Sequence, residues 1–294
     1  MQFLDVKTDY AFKKVFGSLD SKDRLISFLN AVVPFEKNLK IKDLTIIDPY
    51  NIPMLKGMKD TYVDLKAVLD NDTKVIIEMQ VLNHQGFEKR VLYNAAKNYS
   101  IQLNKSDDYH LLNPVIALSI VDFNMFEDSN KIITNFKLIE KDDFIDYNDD
   151  IQLIFIELPK FKKELDELEN IQEQWIYFLK NAGSLEYIPK NLDENIQTAL
   201  KTVNEANLSK DELELQHKRK DFIYIQKSSI ELAKENGLKQ GIEQGIEQGL
   251  KKGIEQGAKD KEIEIAKKSL QQGLDVKTIQ MITGLQKNEI EKLI

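Results

Sequence analysis

Cysteine is absent from the 294 residues, which removes disulfides, thiolate zinc sites and thiol nucleophiles from consideration. Histidine is scarce, at three residues, too few for a metal site built from imidazoles. No stretch approaches the ~18 uncharged apolar residues of a membrane span. The opening Met1-Gln2-Phe3-Leu4-Asp5 has neither a basic stretch nor an apolar run, so no secretory leader is expected and the cytoplasm is the expected location. An excess of base is also missing: 41 basic against 49 acidic side chains give a net charge of −8. That excludes a blanket attraction to nucleic acid. It leaves room for a local basic groove, or for a cation that bridges acid to phosphate.

The residues that are present, 42% hydrophobic and 31% charged, describe a soluble globular chain with a core of ordinary size. Residues 1–160 mix helical and strand patterns. Residues 161–235 read as a polar, amphipathic helical extension, 236–260 as a glycine-repeat helix or tether, and 261–294 as a closing helix-turn-helix-like segment. Near the start, Thr8 suits the cap of a short helix that puts Phe12, Val15 and Phe16 on one face. Ser21 suits the cap of a second, carrying Leu25, Phe28, Leu29 and Val32 until Pro34 stops it. Tyr62–Leu69 and Lys74–Val81 read as paired strands around the turn Asp70-Asn71-Asp72. Helical spacing returns over 86–104. Val115–Val121 is a near-continuous apolar run, as in a strand covered on both faces, and Leu153–Leu158 reads as another strand. The order is that of an α/β fold with a mixed sheet.

The chemistry would lie in the hairpin. Glu78 and Gln80 share one strand face by their spacing. A turn centred on Asn71 sets Asp64 opposite Glu78, with Cβ atoms about 5 Å apart. A two-residue turn would send the two acids to opposite faces. Carboxylates that close repel unless a cation lies between them, and oxygen donors suit a hard ion, Mg²⁺ or Mn²⁺, with Ca²⁺ as another candidate. Such an ion polarises a phosphate and acidifies a bound water, the outline of phosphodiester hydrolysis. The alternative is a pair of solvated acids at a strand edge. Against it, Val63, Leu65, Ile76 and Ile77 flank the acids with apolar side chains, and a part-buried acid needs a partner.

With those residues in view, Thr8-Asp9-Tyr10-Ala11-Phe12-Lys13-Lys14-Val15-Phe16-Gly17 resembles the opening signature of the Rpn recombination-promoting nucleases, also called PD-(D/E)XK nuclease family transposases. Phe28-Leu29-Asn30, Val63-Asp64-Leu65, Ile77-Glu78-Met79-Gln80, Arg90, Tyr93, Tyr109 and Pro114-Val115-Ile116 extend the resemblance over roughly residues 1–160. It implies a restriction-endonuclease-like αβββαβ core, followed here by a helical C-terminal region, and metal-dependent cleavage of DNA. Asp64 and Glu78 match the two acids of the motif, and the Met79 carbonyl is a candidate for a further metal ligand. Gln80 stands where the wider superfamily has lysine, so it can orient water and donate a hydrogen bond but brings no charge. Lys66 is either a replacement cation or a solubilising strand lysine. Asp9 either completes the metal shell or is simply an acid favoured in a helix's first turn. Arg90 and Lys97 share a helix face that could meet phosphates.

Glycines 237, 241, 245, 249, 253 and 257 mark a period of four, at a cost of about 1 kcal/mol each in a lone helix. Such a helix either packs closely on a partner, making the chain a homo-oligomer, or serves as a tether. In the last segment, Lys287, Asn288 and Lys292 could meet DNA from the recognition position of a helix-turn-helix over 286–294, although Glu289 and Glu291 oppose this. A helical cap is the alternative there, and His217-Lys218-Arg219-Lys220 reads as a solvated helix face. Two functions follow. One is a Mg²⁺-dependent DNA endonuclease tied to recombination or mobile elements. The other is a catalytically degenerate DNA-binding or assembly protein that keeps the nuclease fold.

Overall fold

The computed structural model describes residues 1–35, 39–51 and 61–293. Two compact units divide the chain, Met1–Gln226 and Lys227–Ile294. In the first, Thr8 opens helix α1 (Asp9–Phe16) as its hydroxyl accepts the N–H of Ala11 at 3.4 Å. Phe12, Val15 and Phe16 are buried together. Helix α2 (Lys22–Val32) follows Ser21, but the Ser21 hydroxyl donates backwards to the Ser18 carbonyl at 2.5 Å rather than capping. It buries Leu25, Phe28, Leu29 and Val32.

Strand β1 (Leu44–Ile47) comes next, then a two-stranded ladder of β2 (Tyr50–Asn51) and β3 (Thr61–Tyr62). The hairpin β4 (Leu65–Leu69) and β5 (Lys74–Gln80) leads into helix α3 (Phe87–Ser100), which crosses over to β6 (Val115–Val121). Strands β7 (Ile133–Ile139) and β8 (Asp146–Glu157) complete a six-stranded sheet in the order β1-β4-β5-β6-β8-β7. β5, β6 and β8 run parallel, and the outer pairings are antiparallel. A helical crossover between parallel strands is the connection that β5–α3–β6 requires. This is the mixed-sheet α/β fold that the order of elements implied.

Helices α4 (Ile171–Asn181) and α5 (Glu194–Thr202) join α1 and α2 on one sheet face, where Phe12, Phe16, Phe28, Trp175 and Phe178 meet Leu65, Ile77 and Leu118. On the other face α3 places Phe87, Val91 and Ala95 against Ile76, Val115 and Ala117. All seven residues of β6 are buried, as its apolar run required.

Three further expectations change. The expected strand over Tyr62–Leu69 is broken at Val63-Asp64: Tyr62 pairs in β3, and β4 begins at Leu65. Strand β8 starts at Asp146, because pairing with β7 and β6 holds its polar first half extended. Residues 161–235 are polar and largely exposed only from about 204 onward, and the part before that enters the core. Trp175, Phe178, Ile196 and Leu200 lie in the main core, and the compact unit runs on to Gln226.

Helix α6 (Lys210–Gln271) runs unbroken through the glycine repeat. Gly273 takes a left-handed conformation after it, with φ +81°. Within the second unit, α7 (Val276–Thr283) is capped by Asp275, which accepts the Thr278 N–H at 3.0 Å, and Gly284 (φ +76°) turns the chain into α8 (Lys287–Glu291). Ala266, Ile279, Leu285 and Ile290 make a small core there. Lys287, Asn288 and Lys292 are exposed, on or beside a helix of five residues, with Lys287 3.6 Å from Glu291. Among the described residues no helix is long and apolar enough to cross a membrane.

Candidate active site

The register of the β4–β5 hairpin decides where the acids point. Asp70, Asn71 and Asp72 form a three-residue loop, closed by Asp72 N–H to the Leu69 carbonyl at 3.0 Å and Leu69 N–H to the Thr73 carbonyl at 2.9 Å. Asn71 Oδ1 accepts the Thr73 N–H at 3.2 Å, and Asp72 takes the left-handed conformation (φ +64°) that ends such loops. The ladder is therefore centred on Asn71, from Val68↔Lys74 to Leu65↔Ile77. One step on, at the bend, Asp64 stands level with Glu78.

Asp64 does not continue the ladder as a strand residue. Its N–H donates to the Ile77 carbonyl at 3.1 Å, and its Oδ2 accepts the Met79 N–H at 2.7 Å. Its carboxyl shares a cleft with Asp9, from the first turn of α1. Burial pushes the Asp64 pKa up to about 7. The Met79 N–H works against that shift, and the Asp9 and Glu78 carboxylates add to it. Glu78, 15% exposed, is also raised by burial, opposed by the positive charge of Arg90 and by His84.

Gly86 supplies the left-handed turn (φ +84°) that starts α3 and sets Arg90 one turn in, facing β5. One guanidinium nitrogen of Arg90, Nη2, donates both to Glu78 Oε1 and to Gln80 Oε1, the latter at 2.7 Å. Its Nε is buried with no hydrogen-bond partner among the described residues. The Gln80 amide is held at its other end too, donating to the Leu82 carbonyl at 2.7 Å. Asp9, Asp64, Glu78, Met79, Gln80 and Arg90 all line one cleft of about 380 Å³ at the end of β5.

Two other sequence candidates lie elsewhere. Lys66 is 7% exposed, so it is no solubilising lysine. It stands opposite Ile76, away from the cleft wall, where burial and the nearby Lys74 lower its pKa, Asp48 opposes this, and Lys97 lowers it further. Lys97 is 4% exposed, which takes it off any phosphate-facing surface. The face shared by Arg90 and Lys97 is the inner face of α3, where Asn94 and Asn98 are buried as well. The cleft's remaining cations escaped sequence reasoning: Lys7 and Lys13 flank Asp9, and Arg219, read as part of a solvated cluster, reaches the same wall from α6. The three-residue spacing of Arg219 and Phe222 along α6 was a signal too weak to separate from an exposed helix.

Among the described residues no group of three His, Asp or Glu side chains could hold a metal between them. Two carboxylates with water completing the shell is nevertheless a pattern Mg²⁺ accepts. Asp64 and Glu78 are hard oxygen donors on one cleft, and the mutual repulsion that raises Asp64 is what a cation relieves. The donor set fits such an ion, in competition with Arg90 for Glu78.

A family model described as PD-(D/E)XK nuclease family transposase matches residues 6–233. Comparisons with curated proteins and with solved structures return no match. The matched span takes in α1, the hairpin with Asp64 and Glu78, α3, the rest of the sheet, and α4 and α5, and so the chain belongs to the PD-(D/E)XK nuclease family transposases.

Proposed function

We propose that this protein is a divalent-metal-dependent DNA endonuclease acting in recombination or with mobile elements, with Mg²⁺ as the natural ion and Mn²⁺ or Ca²⁺ as substitutes. The observation that carries the reading is the convergence of Asp64, Glu78 and Gln80 on one cleft in a chain of this family. Asp64 and Glu78 hold the ion, the Met79 carbonyl adds a ligand, and Asp9 supports Asp64. Bound there, the ion supplies neutralising charge at the scissile phosphate and a water that loses its proton near neutral pH.

Gln80 orients the attacking water through an amide pinned at both ends. Arg90 meets the phosphate with the guanidinium face not used by Glu78, and Lys7, Lys13 and Arg219 neutralise flanking phosphates along the cleft. Exposed Lys287, Asn288 and Lys292 are a second, weaker candidate for DNA contact.

A second reading, a DNA-binding or assembly protein without turnover, draws on the Arg90–Glu78 bond, since a guanidinium already satisfies the acid that an ion would need. Plasmid nicking in Mg²⁺, Mn²⁺ and Ca²⁺ separates the two. Cleavage by the wild type that drops at least a hundredfold in Asp64→Ala and Glu78→Ala is expected. DNA binding without cleavage in any of the ions establishes the second reading, and equal cleavage by all three proteins refutes the first.

A further inference from the structure

Helix α6 carries an apolar row that the described residues leave exposed. Leu238, Ile242, Ile246, Leu250 and Ile254 recur at every fourth position and are 53–66% exposed. Singly exposed leucines are ordinary, but a continuous row of five marks an interaction surface. A glycine precedes each of them, and a Cβ added at Gly237, Gly241, Gly245, Gly249 or Gly253 would meet nothing within 4 Å. Among the described residues these glycines serve no close approach, and each weakens the helix.

Rows of residues four apart are ridges by which helices pack, and two such ridges seated in each other's grooves cross at about −50°. Here ridge and groove lie side by side on the same helix: leucine and isoleucine form the ridge, and the glycines form the floor of the groove. Two copies of this surface complement each other, and charge selects their direction. The residue after each apolar position is, in order, Lys239, Glu243, Glu247, Lys251 and Glu255.

We propose that a second copy of this chain covers the row, antiparallel, with the two helices crossing at Ile246. In that register Ile242 of one copy meets Leu250 of the other. Glu243 then faces Lys251 on both sides of the crossing, and Lys239 faces Glu255 farther out. Only Glu247 meets its own like, at the axis. A parallel pair in register sets these residues level with their own counterparts or with the row Gln240, Gln244, Gln248, Lys252 and Gln256, so level positions form no opposite pair and Lys251 meets Lys252. Charged and amide side chains between the glycines exclude a pairing inside a membrane.

The absence of native cysteine makes the test clean in the full-length protein. A disulfide needs Cα atoms about 4.4–6.8 Å apart. Ile246→Cys alone should therefore cross-link to a covalent dimer under mild oxidation. A mixture of Ile242→Cys and Leu250→Cys chains should cross-link to each other in preference to themselves. Sedimentation should give a dimer for the wild type and a monomer for Ile246→Glu. Glu243→Lys should weaken the dimer about tenfold, and Glu243→Lys with Lys251→Glu should restore it. Gly245→Leu with Gly249→Leu should abolish the dimer while helix content by circular dichroism stays level or rises. A wild type that remains monomeric up to ~100 µM overturns the proposal, as does self-cross-linking of Ile242→Cys that equals the mixture. Asp64→Ala should dimerise like the wild type, which keeps this result independent of the nuclease reading.

Discussion

Asp64 is a carboxyl that the fold holds against its own charge. In an unfolded chain its pKa lies near 3.9, whereas in the metal-free fold burial and two neighbouring acids raise it to about 7. Between those values the folded chain binds a proton that the unfolded chain does not. Stability contributed by this residue is therefore present at about pH 4 and is lost as the pH climbs through about 7, by roughly 4 kcal/mol at most. Asparagine at this position can still accept the Met79 N–H and carries no charge to bury. Asp64→Asn is expected to lose the slope and to be more stable than the wild type at pH 8 in EDTA, while losing cleavage. Urea unfolding of both proteins from about pH 4 to pH 8 measures this, and parallel pH profiles would show that Asp64 carries no such strain. A stabilising substitution at the cost of activity is the mark of a functional residue rather than a structural one.

Elements bring these residues together, and the shortest of them sets the register. Asp72 occupies a left-handed position that costs an L side chain energy and glycine none. Asp72→Gly is expected to stabilise the protein by about 0.5–1 kcal/mol, and Asp72→Val to destabilise it by about 1–2 kcal/mol, both read by urea midpoint. At the far end of the parallel strands, Glu157 of β8 is fully buried. It accepts the Met125 N–H at 2.6 Å and the Phe126 N–H at 3.2 Å and pairs with Lys160 at 2.6 Å. These bonds tie down the segment after β6. Glu157→Gln removes the charge but not the shape, leaving the 10%-exposed Lys160 uncompensated. A loss of about 3–5 kcal/mol is expected, and an unchanged melting temperature would mean that the pair adds nothing.

The Asn71-centred loop, the apolar run of β6 and the Thr8 cap were all legible in the sequence, because each rests on local geometry. The bend at Val63-Asp64 was not, since nothing in its composition distinguishes it from a continuing strand. Strands β1 and β7 escaped notice for a different reason. Both lie at the sheet's edges, and β7 presents polar and apolar side chains in no clean alternation. The inward face of α3 misled because Arg90 and Lys97 are residue types that are usually solvated. Arg219 reaches the cleft from a helix far along the chain, a contact that local pattern cannot reveal.

Across the whole molecule, a net charge of −8 sets an anionic background on which any DNA contact must be local. The cleft answers this with Lys7, Lys13, Arg90 and Arg219 around its three acids. Acids and cations are thus mixed on one surface, and on the proposed reading an ion at Asp64 and Glu78 is what makes that surface suit phosphate. Arg90 already bonds Glu78, so on that reading ion and guanidinium compete for it. Titrating Mn²⁺ into the intact protein and following the free ion by electron paramagnetic resonance addresses this directly. The wild type should bind the ion, Asp64→Asn and Glu78→Gln should each weaken it at least tenfold, and Arg90→Gln should bind it more tightly. Mn²⁺ affinity that is the same in the wild type, Asp64→Asn and Glu78→Gln would mean that these two acids do not hold a metal.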